Sequence, residues 1–328
     1  MSSFQALVVK EVEDQVVYGV EQTTIEQLSK GTVLIKVAYS SVNYKDMLAV
    51  QKNAGVIRNY PMIPGIDFSG TIVVSEDEAF SVGQEVLVTG FAVGMSHTGG
   101  FSEYARVPSE WIVPLPKQLS LKEAMIFGTA GLTAALSIQA LENNGLSVDS
   151  QPEILVTGST GGVGSIAVQI LAKLGFSSIT AMVRKEHQAA IAKSLGAHHV
   201  VYSSEFENQT RPLNKQRFHF IIDTVGGSVA SDLIAFLHYG GSMSLCGNAA
   251  GIKLTTTVLP FILRGVNLLG IDSVNLEMNK RIDLWQKMAT DWNITQTTLY
   301  DEVALNELPK TIDALKQGEH FGRTIVKL

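Results

Sequence analysis

A glycine-rich turn between an apolar strand and an apolar helix constrains the fold of this chain more than any other feature. Residues 154–157 read Ile-Leu-Val-Thr, four glycines follow between 158 and 164, and apolar residues then recur at helical spacing up to Leu174. Glycines let the backbone approach a phosphate closely, and a helix N-terminus offers unpaired N–H groups and a positive dipole end. The order of strand, turn and helix therefore predicts a dinucleotide-binding element.

The turn departs from the usual G-x-G-x-x-G fingerprint in one position. Ser159 stands where the first glycine is expected, and an additional glycine, Gly158, precedes it. The alternative is a tight strand-to-helix turn that binds nothing. The strand and helix on either side favour the binding interpretation, because the fingerprint is specific only in that context.

Six candidate strands alternate with helical segments after about residue 120. They are 153–158, 178–183, 198–203, 218–225, 241–247 and 267–274. This alternation predicts an α/β fold with a doubly wound parallel sheet. Residues 4–113 and 298–328 instead show short β-branched runs between turns, typical of a β-rich domain. Ser120 followed by Glu123 has the pattern of a capping box and predicts a helix start between the two regions.

Composition excludes several classes of protein. The 328 residues carry 25 Lys and Arg against 31 Asp and Glu, a net charge of −6. Without a basic run, the chain is not expected to bind nucleic acid. Segments 124–141, 154–172 and 233–252 lack charged residues, but their Gly and polar residues favour buried α/β elements over membrane spans. The N-terminus resembles a first strand rather than a signal peptide, and a single cysteine, Cys246, fits a reducing compartment, so we expect a cytoplasmic protein.

The end of the second parallel strand indicates which nicotinamide cofactor binds. An NAD enzyme would carry Asp or Glu at that position, to bind the ribose hydroxyls. Residues 178–183 are instead followed by Arg184 and Lys185. Two cations there suit the 2′-phosphate of NADP. The alternative is an exposed pair that opens a helix over 186–195, although cations in a first helical turn oppose its dipole.

The sequence offers no pattern of metal ligands. One cysteine cannot supply the Cys-His-Cys or Cys-His-Glu set of a zinc alcohol dehydrogenase. The seven histidines are scattered, without a His-x-x-x-His or Glu-x-x-His cluster, and we interpret all of them as surface or core residues. We therefore expect chemistry without a metal ion.

An ordered set of motifs carries a family resemblance. Asn43-Tyr-Lys-Asp46, Tyr60-Pro-Met-Ile-Pro-Gly-Ile-Asp67, the glycine-rich turn, Pro260-Phe-Ile-Leu-Arg264 and Gly270-Ile-Asp-Ser273 occur in this order along the chain. The chain resembles the medium-chain dehydrogenase/reductase superfamily, and within it the zinc-free quinone oxidoreductase branch and its bacterial acryloyl-CoA reductase subgroup. By this resemblance, Asn43 replaces the first zinc cysteine and Ile66 the zinc histidine.

The resemblance implies both the architecture and the cofactor site. It implies a GroES-like catalytic domain of residues 1–122 plus 297–328, and a Rossmann domain of residues 123–296 inserted into it, with NADP in the cleft between them. Which of the two cations after residue 183 reads the 2′-phosphate stays open. The residues expected to bind the cofactor are Tyr44, Thr133, Ser159, Thr160, Gly161, Gly162, Val163, Gly164, Arg184, Lys185, Asn248, Ile262 and Ser273.

The resemblance also implies hydride transfer from NADPH to an activated C=C bond, as in acryloyl-CoA or a similar enoyl thioester. The alternatives are an NADPH:quinone or enone reductase, and a non-catalytic NADPH-binding protein. Negative charge that develops on the substrate carbonyl needs hydrogen-bond donors, and a proton must reach the α-carbon. The candidate catalytic residues are Asn43, Tyr44, Lys45, Asp46 and Asp67.

Alternative roles remain for three of these candidates. Asp46 and Asp67 suit helix or turn capping as well as orientation of their neighbours. Tyr44 suits packing in a core.

The last candidate strand, 266–274, is apolar and would form the edge of the parallel sheet. An uncovered apolar edge favours pairing with a second copy, so we expect a homodimer. The alternative is that the helix near 279–290 covers this edge.

Overall fold

The computed structural model describes residues 3–207 and 211–328. The described residues contain fifteen strands: β1 (Phe4–Val12), β2 (Gln15–Thr23), β3 (Val33–Ser41), β4 (Asp67–Ser75), β5 (Glu85–Thr89), β6 (Tyr104–Val107), β7 (Val113–Pro114), β8 (Ile154–Val156), β9 (Ile179–Val183), β10 (His199–Tyr202), β11 (Phe218–Asp223), β12 (Leu237–Leu245), β13 (Asn267–Gly270), β14 (Tyr300–Ala304) and β15 (Arg323–Lys327). They also contain eight α-helices: α1 (Tyr44–Ala49), α2 (Leu121–Glu142), α3 (Gly162–Lys173), α4 (His187–Ser194), α5 (Gly227–Leu233), α6 (Leu259–Arg264), α7 (Met278–Ala289) and α8 (Leu308–Gln317).

These elements form two compact units. The first unit comprises Met1–Thr129, Ser273–Thr290 and Leu299–Leu328, and the second unit comprises Ala130–Asp272 and Asp291–Thr298. The domain bounds expected from the sequence differ from these mainly at 273–290, which lies in the first unit. Helix α7 explains the difference, because its buried side chains bond and pack within that unit.

The first unit is built around a mostly antiparallel seven-stranded sheet. The strand order is β14-β15-β3-β4-β5-β7, with β6 also paired to β3, while β1 and β2 form a separate hairpin. Strand β15, near the end of the chain, pairs antiparallel with β3. Strands from the early and the late parts of the chain therefore build one sheet. Its core contains a cluster of apolar side chains from the sheet, including Ile35, Phe68 and Val88.

The second unit contains a six-stranded sheet in which every pairing is parallel. Its order is β10-β9-β8-β11-β12-β13, which confirms the predicted doubly wound fold. Each predicted strand is present. Strand β12 begins earlier than predicted, and β13 ends at Gly270 rather than 274. The order reverses between β8 and β11, and a crevice at the carboxyl ends of such strands is where ligands bind in folds of this kind.

Helix α2 follows the predicted capping box. The Ser120 N–H donates to Glu123 Oε2 at 2.9 Å, and the Glu123 N–H donates back to Ser120 Oγ at 3.2 Å. By length and composition α2 is apolar enough to cross a membrane, but 83% of its most apolar window is buried within the protein. Its backbone leaves the helical region at Gly128, where φ is 53° and ψ is −155°.

Helix α7 contacts the first unit through two fully buried side chains. The Arg281 guanidinium donates to Thr89 O at 2.7 Å, to Thr89 Oγ1 at 2.8 Å and to Val274 O at 3.0 Å. The Trp285 ring meets Phe127 edge-on, with ring centroids 6.4 Å apart. These contacts explain why segment 273–290 belongs with the β-rich strands rather than with the parallel sheet.

Replacement of the buried guanidinium should therefore destabilise the first unit. We expect Arg281→Met to lower the free energy of unfolding by about 3 kcal/mol, because buried carbonyl oxygens lose a charged donor. Lys280→Met is the matched control on the same helix, since the Lys280 side chain is 66% exposed, and we expect it to stay within about 0.5 kcal/mol of the wild type. Urea unfolding of both variants measures the difference, and equal stabilities would contradict this account of α7.

Candidate functional site

The predicted dinucleotide-binding turn lies at the carboxyl end of β8 in the second unit. Thr157 Oγ1 donates to Asp223 Oδ1 at 2.8 Å, and Thr224 N–H donates to Thr157 Oγ1 at 2.9 Å. Asp223 ends β11, and burial raises the pKa of its carboxyl group. These bonds hold the ends of β8 and β11 together at the point where the strand order reverses.

Glycines are required in the turn by close backbone approach. A Cβ at Gly164 would lie 2.3 Å from Gly158 O, and one at Gly158 would lie 2.4 Å from Thr224 Oγ1, at a φ of +55°. Helix α3 begins at Gly162, with Gly161 as its N-cap. The start of an α-helix leaves N–H groups without an intrahelical partner, so half-buried Gly161, Gly162 and Val163 present donors suited to a phosphate.

The serine that replaces the first fingerprint glycine tethers the turn to the neighbouring strand. Ser159 is fully buried, and its Oγ donates to Met182 O at 3.0 Å, next to the last residue of β9. Thr160 beside it is 5% exposed. The geometry therefore gives the Ser159 side chain a role in holding the turn, and the backbone from 160 to 164 remains the candidate for phosphate contact.

Two exposed cations follow β9, as the sequence predicts. The N–H groups of Arg184 and Lys185 both donate to Gln188 Oε1 at 2.9 Å, and the Gln188 side chain is buried. Within residues 3–207 and 211–328, neither charged side chain has an ion pair or hydrogen bond of its own. The backbone of this loop is fixed while both charges remain available to an anion. Sequence reasoning missed Gln188, whose only signal was its position three residues after Lys185.

The other expected cofactor residues divide between the units. In the second unit, Thr133 is buried and accepts a bond from Ser137 Oγ at 2.8 Å, Asn248 is exposed, and Ile262 on α6 is 69% exposed. In the first unit, Ser273 is 8% exposed and its carbonyl oxygen accepts from Arg281 at 3.2 Å, while Tyr44 is 43% exposed.

Asp46 lies in the predicted catalytic loop of the first unit and is fully buried. Its Oδ2 accepts from Asn43 N–H at 2.9 Å, which caps the start of α1. Its Oδ1 accepts from the N–H groups of Gly65 at 3.2 Å and Ile66 at 3.1 Å. Asp46 thus fastens the 43–46 loop to the loop that precedes β4, the capping role considered for it from the sequence.

Asp67 is also fully buried, at the start of β4. Its Oδ1 accepts from Ser41 N–H at 3.0 Å and from Ser41 Oγ at 2.7 Å. Its Oδ2 accepts from Asn43 Nδ2 at 2.9 Å and from Thr129 N–H at 2.7 Å. The carboxylate therefore joins β3, the 43–46 loop and the interrupted helix α2.

Arg323 completes this arrangement and was missed by sequence reasoning. Its buried guanidinium donates to Ser41 Oγ at 2.7 Å, to Val42 O at 3.1 Å and to Ile126 O at 3.0 Å, with a weaker contact to Asn43 Oδ1 at 3.4 Å. We call the set of Ser41, Asn43, Asp46, Asp67 and Arg323 the buried polar network. The only sequence signal for Arg323 was a charged residue at the start of an otherwise apolar strand.

The charges of the buried polar network depend on one another. Burial and, secondarily, the charge of Asp67 raise the pKa of Asp46 to about 7. Burial lowers the pKa of Arg323, while the charges of Asp67 and Asp46 oppose that change. One guanidinium serves two carboxyl groups: it meets Asp67 through the Ser41 hydroxyl and the Asn43 amide, and the raised pKa of Asp46 limits the second negative charge.

The geometry distinguishes the roles of Asn43, Tyr44 and Lys45. Asn43 is buried, and its Nδ2 donates to Asp67 Oδ2 and to Ser41 O at 3.1 Å, which uses both amide hydrogens. Tyr44 is exposed, and its hydroxyl has no hydrogen-bond partner among the described residues. Lys45 is half-buried. Asn43 is thus placed to position the loop, and Tyr44 is the better placed of the two to donate to a substrate.

Loss of Arg323 should strongly destabilise the protein. We expect Arg323→Met to lower the free energy of unfolding by about 3–5 kcal/mol, because two buried carboxyl groups lose their cation. Lys327→Met is the matched control, since Lys327 is the exposed residue of the same strand. Chemical denaturation of both variants provides the comparison.

A double variant tests whether the charges are coupled. Asp67→Asn should lower the free energy of unfolding by at least about 1 kcal/mol less in the Arg323→Met background than it does alone. The reason is that, without Arg323, the Asp67 carboxylate has already lost the cation that compensates it. Additive effects would show that the two groups act independently.

Two family models match consecutive parts of the chain, and the second of them extends past the parallel sheet to include α7 of the first unit. A model described as the alcohol dehydrogenase GroES-like domain matches residues 29–117, and one described as zinc-binding dehydrogenase matches residues 162–290. The first match lies in the β-rich unit and begins before β3. The second begins at the first residue of α3. The predicted combination of a GroES-like part and a Rossmann-type sheet is confirmed.

Similar proteins and structures cover the whole chain. Bacillus subtilis YhfP, whose name places it among the quinone oxidoreductases, is 46% identical over 99% of both chains, and its crystal structure with NAD bound gives a TM-score of 0.95. Acrylyl-CoA reductase AcuI of Ruegeria pomeroyi is 40% identical over 98% of both chains. The YhdH oxidoreductase from Salmonella enterica, crystallised with NADP, is 43% identical over 99% of both chains, with a TM-score of 0.95.

Sequence identity of 40% or more along the full length accompanies the ordered motifs, the glycine-rich turn and the two-unit architecture. The chain belongs to the medium-chain dehydrogenase/reductase superfamily, in the quinone oxidoreductase branch that includes the acryloyl-CoA reductases.

Proposed function

We propose that this protein is an NADPH-dependent reductase of activated C=C bonds, most suited to acryloyl-CoA or a similar enoyl thioester. The observation that carries the NADPH part is the pair of exposed cations, Arg184 and Lys185. They follow, along the chain, a glycine-rich turn in which a Cβ at Gly158 or Gly164 would clash with neighbouring atoms. The thioester part is supported by the 40% identity to an acrylyl-CoA reductase. When bound, NADPH supplies the hydride.

The residues of the second unit suit each part of the cofactor. The N–H groups at the start of α3 suit the pyrophosphate, since a helix N-terminus favours negative charge. The side chains of Arg184 and Lys185 suit the 2′-phosphate, and the buried Gln188 holds their backbone in place. No acidic residue ends β9 to accept the ribose hydroxyls that NAD carries.

The 43–46 loop of the first unit supplies the groups that stabilise developing negative charge. The Tyr44 hydroxyl is the exposed donor, and we assign it to the carbonyl oxygen on which negative charge develops. Lys45 adds a cation beside it. Asn43, Asp46 and Asp67 hold this loop from the buried side, so we assign them positioning roles. The proposed reaction needs no metal ion, because the residue that replaces the zinc cysteine is an amide bonded into the buried polar network.

A quinone or enone reductase is the second candidate, supported by the name of YhfP at 46% identity. A non-catalytic NADPH-binding protein is a third. A side-by-side turnover assay with acryloyl-CoA, crotonyl-CoA and a naphthoquinone separates them. We expect kcat/KM to be highest for acryloyl-CoA. Faster reduction of the quinone would favour the second candidate, and tight NADPH binding without turnover of any of the three would favour the third.

We also propose a cytoplasmic homodimer. Strand β13 is the edge of the parallel sheet and is paired only to β12, with Asn267 and Gly270 exposed. Ile262 and Leu263, on the preceding helix α6, are 69% and 56% exposed. An exposed edge beside apolar side chains favours pairing with a second copy. The lone cysteine, Cys246, supports the reducing compartment.

The first prediction from this proposal concerns cofactor choice. We expect Arg184→Ala with Lys185→Ala to weaken NADPH binding by at least tenfold, because each lost phosphate contact costs about 1.5–3 kcal/mol. NADH binding should change little. Calorimetric titration of both cofactors measures the effect, and equal weakening of the two would show that these side chains do not read the 2′-phosphate. Exposed Lys193→Ala, on helix α4 that follows this loop, is the control.

The second prediction concerns Tyr44. Tyr44→Phe keeps the ring and removes the hydroxyl, so we expect kcat with acryloyl-CoA to fall about a hundredfold, as for loss of an oxyanion donor. NADPH affinity and unfolding stability should stay close to wild type. Asn43→Ala provides the contrast, because its amide lies in the buried polar network and its loss should lower stability as well as rate. Normal turnover in Tyr44→Phe would assign charge stabilisation elsewhere.

The third prediction concerns the dimer. Sedimentation equilibrium should give a mass of twice 35.4 kDa that falls to the monomer on dilution. Amide hydrogen exchange should slow in 267–270 as the dimer forms, while the opposite edge strand, 199–202, should not change. A concentration-independent monomer, or protection at neither edge, would contradict the proposed interface.

A further inference from the structure

Two histidines and a glutamate meet at the amino ends of three adjacent parallel strands in the second unit. Glu153 immediately precedes β8, His219 is the second residue of β11, and His238 is the second residue of β12. Since the strand order places β8, β11 and β12 side by side, the topology brings together three residues that the sequence spreads over 86 positions. Sequence reasoning missed this cluster because the spacing matches no ligand motif.

The three side chains are close enough to share one ligand. One potential ligand atom of each lies within 4.8 Å of the others, and among residues 3–207 and 211–328 this is the one such group of His, Cys and carboxylates that could hold an ion. The imidazole rings of His219 and His238 are stacked, with centroids 4.0 Å apart and planes 1° from parallel.

His219 Nδ1 is placed in two contacts that one nitrogen cannot satisfy together. It accepts from Glu153 N–H at 3.2 Å, which requires a lone pair on Nδ1. It also touches Glu153 Oε2, which requires a proton on Nδ1. The two atoms are in ion-pair contact, closer together than two ligands of one tetrahedral ion. To bind an ion, the Glu153 carboxylate must turn away from Nδ1, or His219 must bind through its other ring nitrogen.

We propose that Glu153, His219 and His238 form a binding site for a divalent transition-metal ion, for which zinc is the best fit. Two imidazoles and one carboxylate form a donor set that zinc takes, with a further position left for water. Tetrahedral bonds of roughly 2.0–2.1 Å place ligand atoms about 3.3 Å apart. The ligand atoms must therefore rearrange: His219 Nδ1 and Glu153 Oε2 must move apart, and the stacked rings must turn so that one nitrogen of each faces the ion.

The surroundings give an ion access to this site. Glu153 and His219 line an open cleft of about 420 Å³, together with Ser150, Gln151, Tyr239 and Gly240. The side chains of His219 and Glu153 are 40% and 50% exposed. Burial and, secondarily, the charge of His219 lower the pKa of His238.

The site is separate from the proposed reaction. The glycine-rich turn follows the carboxyl end of β8, whereas this cluster lies at the amino ends of the same strands. A bound ion would cross-link three neighbouring strands of the sheet and stabilise the folded second unit. Without an ion, a protonated His219 paired to Glu153 accounts for the same contact, and the experiment must separate these two cases.

Titration of the full chain, expressed without a polyhistidine tag, with zinc and a competing chromophoric chelator tests the proposal. We expect one zinc ion per chain and a rise in the unfolding temperature with zinc. The double variant His219→Ala with His238→Ala should bind at least a hundredfold more weakly, and Glu153→Gln at least threefold more weakly.

The matched control is His198→Ala with His199→Ala, which removes two exposed histidines outside the cluster and should bind zinc as the wild type does. Cobalt in place of zinc should give the visible absorption of a four-coordinate site. The absence of stoichiometric zinc binding, or equal binding by the cluster variant and the control, would overturn the proposal in favour of a simple ion pair.

Discussion

The buried guanidinium of Arg323 is the interaction on which the first unit depends. It donates to groups from β3, the 43–46 loop and α2, and it compensates two buried carboxyl groups that also bind those elements. An uncompensated buried carboxylate is very costly, so we expect these segments to pack cooperatively and to lose their packing together when the cation is removed. The position of Tyr44 beside this network follows from that constraint, since its own side chain is not bonded to the described residues.

The network also explains the break in α2. A Cβ at Gly128 would lie 2.4 Å from Ser41 Oγ and 2.8 Å from both Asp67 Oδ2 and Arg323. A helix that continued through this point with a side chain would displace the groups that compensate one another. The long apolar segment therefore turns at a glycine, and the next N–H group, that of Thr129, donates to Asp67.

The sequence predicted the local features better than the distant ones. The six parallel strands, the capping box at Ser120 and the turn at 158–164 depend on neighbouring residues, and periodicity and glycine placement reveal them. Arg323 lies 256 positions from Asp67, and only the sheet pairing of β15 with β3 makes them neighbours. The same reason hid the side-chain cluster of Glu153, His219 and His238. The domain bounds differed because α7 bonds through Arg281, a contact that its amphipathic pattern does not specify.

The antiparallel pairing of β15 with β3 has a consequence for the order in which the two units can fold during synthesis. A ribosome releases the strands of the second unit well before residues 323–327 exist, so the parallel sheet can form during synthesis. The first unit includes residues made before the second unit, but it lacks strand β15 and the Arg323 cation until residues 323–327 emerge. The first unit therefore completes its fold after the second unit, and until then Asp46 and Asp67 stay exposed to water. The unit whose first residues are synthesised earlier is thus the one that completes its fold later.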